Sequence, residues 1–214
     1  MKRLFCKFSR HGLVLGSTAM LLVFAGASAA GQSLAGKTLP NLQTAYNGES
    51  NAQARYLAFA QKADQEGYGE VASLFRAAAR AEQIHLTNHA AVIRQMGAEP
   101  MAAIEKPVVK STRENLESAA NKGEAYERDT MYPAFIQQAN AGGNLDAVRT
   151  FDLARKAEAQ HFKLFTAALA NLENMRGSRH TYYVCTVCGY TVSEPVTGNC
   201  VSCASPAEKY EAVT

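Results

Sequence analysis

Two copies of one spacing stand out in this chain: Glu82-Gln83-Ile84-His85 and Glu158-Ala159-Gln160-His161. On a helix, residues three apart are neighbours, so each copy presents a carboxylate and an imidazole side by side. Both copies lie on apolar stripes. Val71, Leu74, Phe75, Ala78, Val92 and Met96 define the first; Phe151, Ala154, Phe162, Phe165 and Leu169 define the second. Glu49 falls between Tyr46 and Tyr56 on a further apolar face. Glu124 and Glu127 share a face with Leu116, Ala120, Met131 and Ala134. Every one of four helical segments therefore aims at least one acid inward. A buried, unpaired carboxylate is strongly unfavourable, and several together repel one another. Arg55, Arg76, Arg80, Arg128 and Arg155 fall mostly off these stripes and do not compensate. A pair of divalent or trivalent cations would. Single Glu residues from two helices plus Glu-x-x-His from two others form a dinuclear ligand set. Glu127 is one acid beyond that minimum. His89, one turn past His85, reads as a packed or supporting histidine, and His180 is assigned no role.

A second set is sulfur. Cys185-x-x-Cys188 and Cys200-x-x-Cys203 form two knuckles separated by eleven residues. That pattern predicts a tetrahedral four-thiolate cage for iron or zinc. Two disulfides are the alternative in an oxidising compartment. Zinc there would be structural, whereas iron could pass single electrons.

The elements that must position these groups follow from the breakers. Residues 41–176 are rich in strong helix formers. A first helix is expected over 41–66, ended by Gly67, and a second over 69–96, ended by Gly97. After a connection carrying Pro100 and Pro107, Ser111-x-x-Glu114 forms a capping box that opens a third. Pro133 should kink that helix, which ends near Gly142-Gly143. A fourth is expected over 144–176. Short joins within each pair and one long middle connection predict a mainly α fold, a ferritin-like four-helix bundle with one long crossover. Tyr182-Tyr183-Val184 and Tyr190-Thr191-Val192 are β-prone. The tail around them is too short for an apolar core, so a metal is the expected staple.

Composition is ordinary, with 47% hydrophobic and 19% charged residues, which excludes a disordered or collagen-like chain. The net charge of +3 owes most to the N-terminus, where Lys2, Arg3, Lys7 and Arg10 stand without an acid. The rest is near neutral with no basic stripe, so no nucleic-acid partner is expected. A basic start, an apolar run from Leu13 to Ala25 and Ala27-Ser28-Ala29 read as an export signal with its cleavage site. A retained membrane anchor is the alternative. The expected organisation is an export signal over 1–29, a di-metal four-helix bundle over 30–177 and a four-cysteine domain over 178–214, in a protein exported to the periplasm.

The chain resembles a rubrerythrin over about 40–212: a ferritin-like di-iron bundle followed by a rubredoxin-like domain. The resemblance is carried by Glu49-Ser50-Asn51-Ala52 through Arg55-Tyr56, Glu82 to His85, Gly123-Glu124-Ala125-Tyr126-Glu127 with Met131-Tyr132-Pro133, Glu158 to His161, and Tyr183-Val184-Cys185-Thr186-Val187-Cys188-Gly189-Tyr190. It implies a non-haem peroxidase, an oxidoreductase that reduces hydrogen peroxide to water in oxidative-stress defence. Its cofactors would be two non-haem irons and one iron held by Cys185, Cys188, Cys200 and Cys203, with zinc possible in the cysteine site and manganese in the carboxylate site. The resemblance further implies that Glu82 and Glu158 bridge the irons. Glu49 would be terminal on one iron, Glu124 and His161 would complete the other, and His85 and Glu127 would alternate on the first. Tyr56 and Tyr132 match tyrosines that hydrogen-bond near the site; aromatic core packing is their alternative. A head-to-tail homodimer, with electrons crossing between subunits, and an unidentified electron donor are also implied. Two features depart from the pattern. Cys200-Val201-Ser202-Cys203-Ala204 lacks the usual Pro after the first Cys and Gly after the second, so Ala204 should strain a turn that prefers φ > 0. The export signal is the other departure. The rival functions are a ferroxidase or iron-storage protein, and a non-enzymatic zinc-binding module.

Overall fold

The computed structural model describes residues 36–214. The export-signal reading, and its anchor alternative, fall on 1–29 and lie outside the described residues. Among the described residues, no helix is long and apolar enough to cross a membrane.

Four helical rods form the body. Helix α1 spans Thr38–Gln65 and α2 spans Gly69–Gln95. The tight turn at Gly67 makes them an antiparallel hairpin. The crossover, 96–111, then runs extended along α1. Gln43, Asn47 and Asn51, one helical turn apart, pin it through side-chain amides: Met101 N and Glu105 N donate to Gln43 and Asn51, and Ala103 N donates to Asn47. The capping box is present, with Glu114 N donating to Ser111 Oγ at 3.3 Å and Ser111 N donating back to Glu114.

The third rod departs from the expected helix kinked at Pro133. It is α3 (Thr112–Ser118), a π-helical turn over Ala119–Glu124, a second over Glu127–Met131, and α4 (Tyr132–Ala141). Proline takes a first-turn position in α4, where its missing amide costs little. The irregularity lies upstream of Pro133, in the segment that carries Glu124 and Glu127. Wider π turns shift the register of the side chains that follow. They leave Glu124, Glu127, Met131 and Tyr132 all buried.

The fourth rod, α5, spans Leu145–Ala170 and is capped by Asn144. It ends earlier than expected and continues as a 3₁₀ turn over Leu172–Met175. The chain must swing back to the α1–α2 turn, where Gly177 N donates to Gly67 O at 2.9 Å and the Arg176 guanidinium lies 3.9 Å from the Tyr68 ring centroid. Leu172 and Met175 fill the end of the core.

The tail is a three-stranded antiparallel sheet in the order β2-β1-β3: β1 Tyr182–Cys185, β2 Thr191–Val192 and β3 Tyr210–Val213. The first two match the β-prone segments; β3 was not foreseen. It pairs Cys185 with Tyr210 and Tyr182 with Val213, bringing the chain end back beside the first knuckle. The fold is a ferritin-like bundle followed by a rubredoxin-like four-cysteine unit.

Candidate metal centre

All seven expected carboxylate and histidine ligands are buried in the middle of the bundle. Six fall into two overlapping clusters. Glu49, Glu82, His85 and Glu158 form one, and Glu82, Glu124, Glu158 and His161 form the other. Glu82 and Glu158 belong to both. Within each cluster one ligand atom per residue lies within 4.8 Å of the rest. Glu127 is buried but stands outside both sets.

The two Glu-x-x-His segments act alike. His85 Nδ1 lies 2.9 Å from Glu82 Oε2, and His161 Nδ1 lies 2.8 Å from Glu158 Oε2. Each outer nitrogen is held by the cysteine tail. His85 Nε2 donates to the Cys188 carbonyl at 3.1 Å. His161 Nε2 donates to Thr191 Oγ1, also at 3.1 Å, because that hydroxyl spends its own proton on Gly189 O. Both rings thus carry their proton at Nε2 and turn the Nδ1 lone pair toward the carboxylates, as a metal-ligating histidine requires.

The carboxylates tell the same story. Glu49 Oε2, Glu82 Oε1, Glu124 Oε2 and Glu158 Oε1 are buried without a hydrogen-bond partner. Glu158 Oε1 lies 2.9 Å from His85 Nδ1, yet not in hydrogen-bond geometry. Four orphaned anionic oxygens and two inward lone pairs, converging on one place, fit a pair of cations. Without cations, protons must substitute. Burial, then repulsion from Glu158 and Glu49, pushes Glu82 well above the carboxylate range. Burial, then Glu158, raises Glu124 to about 7. Burial, then Glu49, raises Glu127 strongly. Burial opposes charge on His85, but Glu158, Glu49 and the Cys188 carbonyl together outweigh it and lift the ring to about 9.

Both tyrosines make the hydrogen bonds expected of them. Tyr56 Oη donates to Glu124 Oε1 at 2.5 Å, and Tyr132 Oη donates to Glu49 Oε1. The two surroundings differ. Tyr56 packs among Phe59, Phe75 and Phe165, whereas Tyr132 also meets His89 Nε2 at 3.0 Å. Sequence reasoning missed Arg55, half-buried beside Tyr56 and Glu127. It also missed Thr191. Arg55 sits next to Tyr56 in the chain and was set aside because it lies off the apolar stripe; Thr191 offered no periodic signal.

The four sulfurs form the predicted cage. Cys185 Sγ and Cys203 Sγ are 3.6 Å apart, and Cys188 Sγ and Cys200 Sγ are 3.7 Å apart, with all four thiols free. A tetrahedron with metal–sulfur bonds of about 2.3 Å has edges of about 3.8 Å. The spacing fits a single ion and not the disulfide alternative. The knuckles are near copies: Gly189 N donates to Cys185 O and Ala204 N to Cys200 O, both at 2.8 Å. Gly189 has φ 77° and Ala204 φ 59°, so Ala204 does occupy the conformation that favours glycine. Gly189 has a second reason to be glycine, since a Cβ there would lie 2.4 Å from His85 Nε2. The cage therefore rests against the carboxylate site of its own chain.

Fold and site together define a di-metal carboxylate protein of the ferritin-like class with an appended four-cysteine metal unit. The rubrerythrin sequence profile matches residues 40–169. The chain is 38% identical to nigerythrin of Nitratidesulfovibrio vulgaris over 182 residues, covering 83% of this chain and 87% of that one. It is 32% identical to rubrerythrin of Porphyromonas gingivalis, covering 82% and 89%. The structure of nigerythrin in its fully reduced, all-ferrous state superposes with a TM-score of 0.76 at 37% identity, over 82% of this chain and 86% of that one. The chain belongs to the rubrerythrin family, with the ligand sets for a di-iron site and a four-cysteine metal site, and is a di-iron protein of the oxidative-stress type.

Proposed function

We propose that this protein is a peroxidase that reduces hydrogen peroxide to water, taking up two electrons and two protons per peroxide. Electrons would reach the bundle singly, through iron in the four-cysteine cage. One observation carries this reading above the ferroxidase and zinc-module rivals. The Cys188 carbonyl is hydrogen-bonded to His85, so a sulfur ligand of one centre is joined to a nitrogen ligand of the other by a single short contact. Iron storage or ferroxidation has no need of that junction.

Glu82 and Glu158, common to both clusters, would bridge two irons. Glu49 and His85 would complete one end, Glu124 and His161 the other. Glu127, buried beside Arg55, is the residue that would exchange with His85. Bound there, an iron pair supplies two electrons and Lewis acidity to the O–O bond, while cage iron exchanges one electron at a time. The chain's own residues do the rest. Tyr56 and Tyr132 hold one oxygen each of Glu124 and Glu49 in place, and the knuckle over 185–191 covers the two histidines. The export signal would put this activity outside the cytoplasm, with an electron donor found there.

Anaerobically purified, iron-loaded protein given a chemical reductant should consume peroxide. Cys185→Ser should abolish turnover from a donor that reduces the cage, while leaving iron in the bundle. Unchanged turnover in that variant would favour the ferroxidase reading. Zinc in the cage without iron–thiolate absorption would favour the zinc module.

A further inference from the structure

Glu49 and Glu124 occupy matching places at the two ends of the site, and each accepts a hydrogen bond from a tyrosine. Behind those tyrosines the two ends diverge. Behind Tyr56 lie phenylalanines and the Arg55 guanidinium, 5.4 Å from its ring centroid. A guanidinium does not give up its proton near neutrality. Behind Tyr132 the polar groups continue. Its oxygen lies 3.0 Å from His89 Nε2, and His89 Nδ1 lies 3.0 Å from Thr150 Oγ1. Thr150 lines a surface cavity of about 220 Å³ between α2, α5 and the first cysteine knuckle, with Asn88, Gln95, Asp146, Arg149 and Val187 around it.

The direction of these bonds follows from what each group can do. The Glu49 carboxylate only accepts, so the Tyr132 hydroxyl donates to it. The Tyr132 oxygen must then accept from His89, which places that proton on Nε2. A neutral imidazole with Nε2–H has its lone pair on Nδ1, so Thr150 Oγ1–H donates there. His89 is fully buried, and burial disfavours the charged ring. All three donors point from the cavity toward Glu49.

We propose that Thr150, His89 and Tyr132 form a proton relay that supplies the Glu49 end of the di-metal site from the surface cavity. The relay rests on the peroxidase reading, because that reaction consumes two protons for each peroxide. In one passage, Thr150 passes its hydroxyl proton to His89 Nδ1 and is refilled by cavity water. His89 releases its Nε2 proton to the Tyr132 oxygen, and Tyr132 releases its own toward Glu49. One proton enters and one leaves, and no relay residue keeps a charge. Rotation of the two hydroxyls and return of the imidazole from its Nδ1–H to its Nε2–H tautomer restore the starting direction.

The alternative is that His89 only fills space, packed against Phe151 and Tyr132 at centroid distances of 5.4 and 5.9 Å. Two measurements separate these. In zinc-loaded, diamagnetic full-length protein, ¹⁵N-histidine NMR should show His89 as the neutral Nε2–H tautomer with a hydrogen-bonded Nδ1. Thr150→Val should move the Nδ1 resonance toward its unbonded position. A Nδ1–H tautomer, or an Nδ1 indifferent to that change, overturns the relay. In iron-loaded protein, Thr150→Val should lower kcat for peroxide about a hundredfold, the lower end of the range for a lost proton-transfer group, with KM and iron content unchanged. Thr150→Ser, which restores the hydroxyl, should recover the rate. Full activity in the valine variant, or equal loss in valine and serine, overturns the relay. Wild-type protein without peroxide turnover would overturn the peroxidase reading instead, and the tautomer measurement would still judge the direction of the chain.

Discussion

Glu49 and Glu124 each have one oxygen that a tyrosine satisfies and one that nothing does. For Glu124 the satisfied oxygen belongs to Tyr56. Tyr56→Phe should leave a buried acceptor unpaired and destabilise the metal-free protein by about 1–3 kcal/mol, read from denaturant melts. Ala204 is the opposite case, a residue under strain. An L-residue in the left-handed region costs about 1 kcal/mol, part of which a glycine would give back as unfolded-chain entropy. Ala204→Gly should therefore slow metal loss from the cysteine cage to a chelator modestly, and a faster loss would show that the alanine is not strained. At this scale the sequence was legible where periodicity spoke. Glu82, His85, Glu158 and His161 could be placed because i and i+3 on an apolar stripe leaves one direction to point. Thr150 and Thr191 could not, since their partners lie 61 and 30 residues away in the chain and only tertiary packing brings them together.

Among the elements, the first knuckle matters most, because it closes the site as well as making half of the cage. Gly189→Ala tests this. Ala204 shows that alanine is accepted at the equivalent backbone conformation, so the cage should still bind its metal. The new Cβ would press on His85 Nε2, and the hydrogen bond to the Cys188 carbonyl should break. The expected result is a cage with a normal iron–thiolate spectrum and much slower electron delivery to the bundle, measured by stopped-flow absorbance. Unchanged delivery would mean that electrons do not pass this junction. The rods themselves were legible from helix formers and breakers. The π turns over Ala119–Glu124 and Glu127–Met131 were not, because an added residue per turn leaves no compositional mark. Pro133 drew attention to the right segment for a different reason. The early end of α5 and the strand β3 were hidden likewise, as both are set by where the chain must return.

For the molecule as a whole, the cluster of inward acids is a source of instability that cations remove. Protonation gives the direction. Glu82, Glu124, Glu127, His85 and His161 all hold protons in the folded, metal-free protein to higher pH than in the unfolded chain. Between the ordinary carboxylate pKa of 4.5 and the value of about 9 for His85, the folded state binds more protons. Stability must then fall as pH rises across that window. Metal-free protein should melt at progressively lower temperature from about pH 5 to about pH 9, as calorimetry would record. Loaded protein should not follow, because metal replaces those protons and binds more tightly as they leave. The most direct test is an anaerobic titration of metal-free protein with ferrous iron, following the melting temperature. The account predicts a rise that saturates near three equivalents per chain, about two in the bundle and about one in the cysteine cage. A melting temperature indifferent to iron would contradict it.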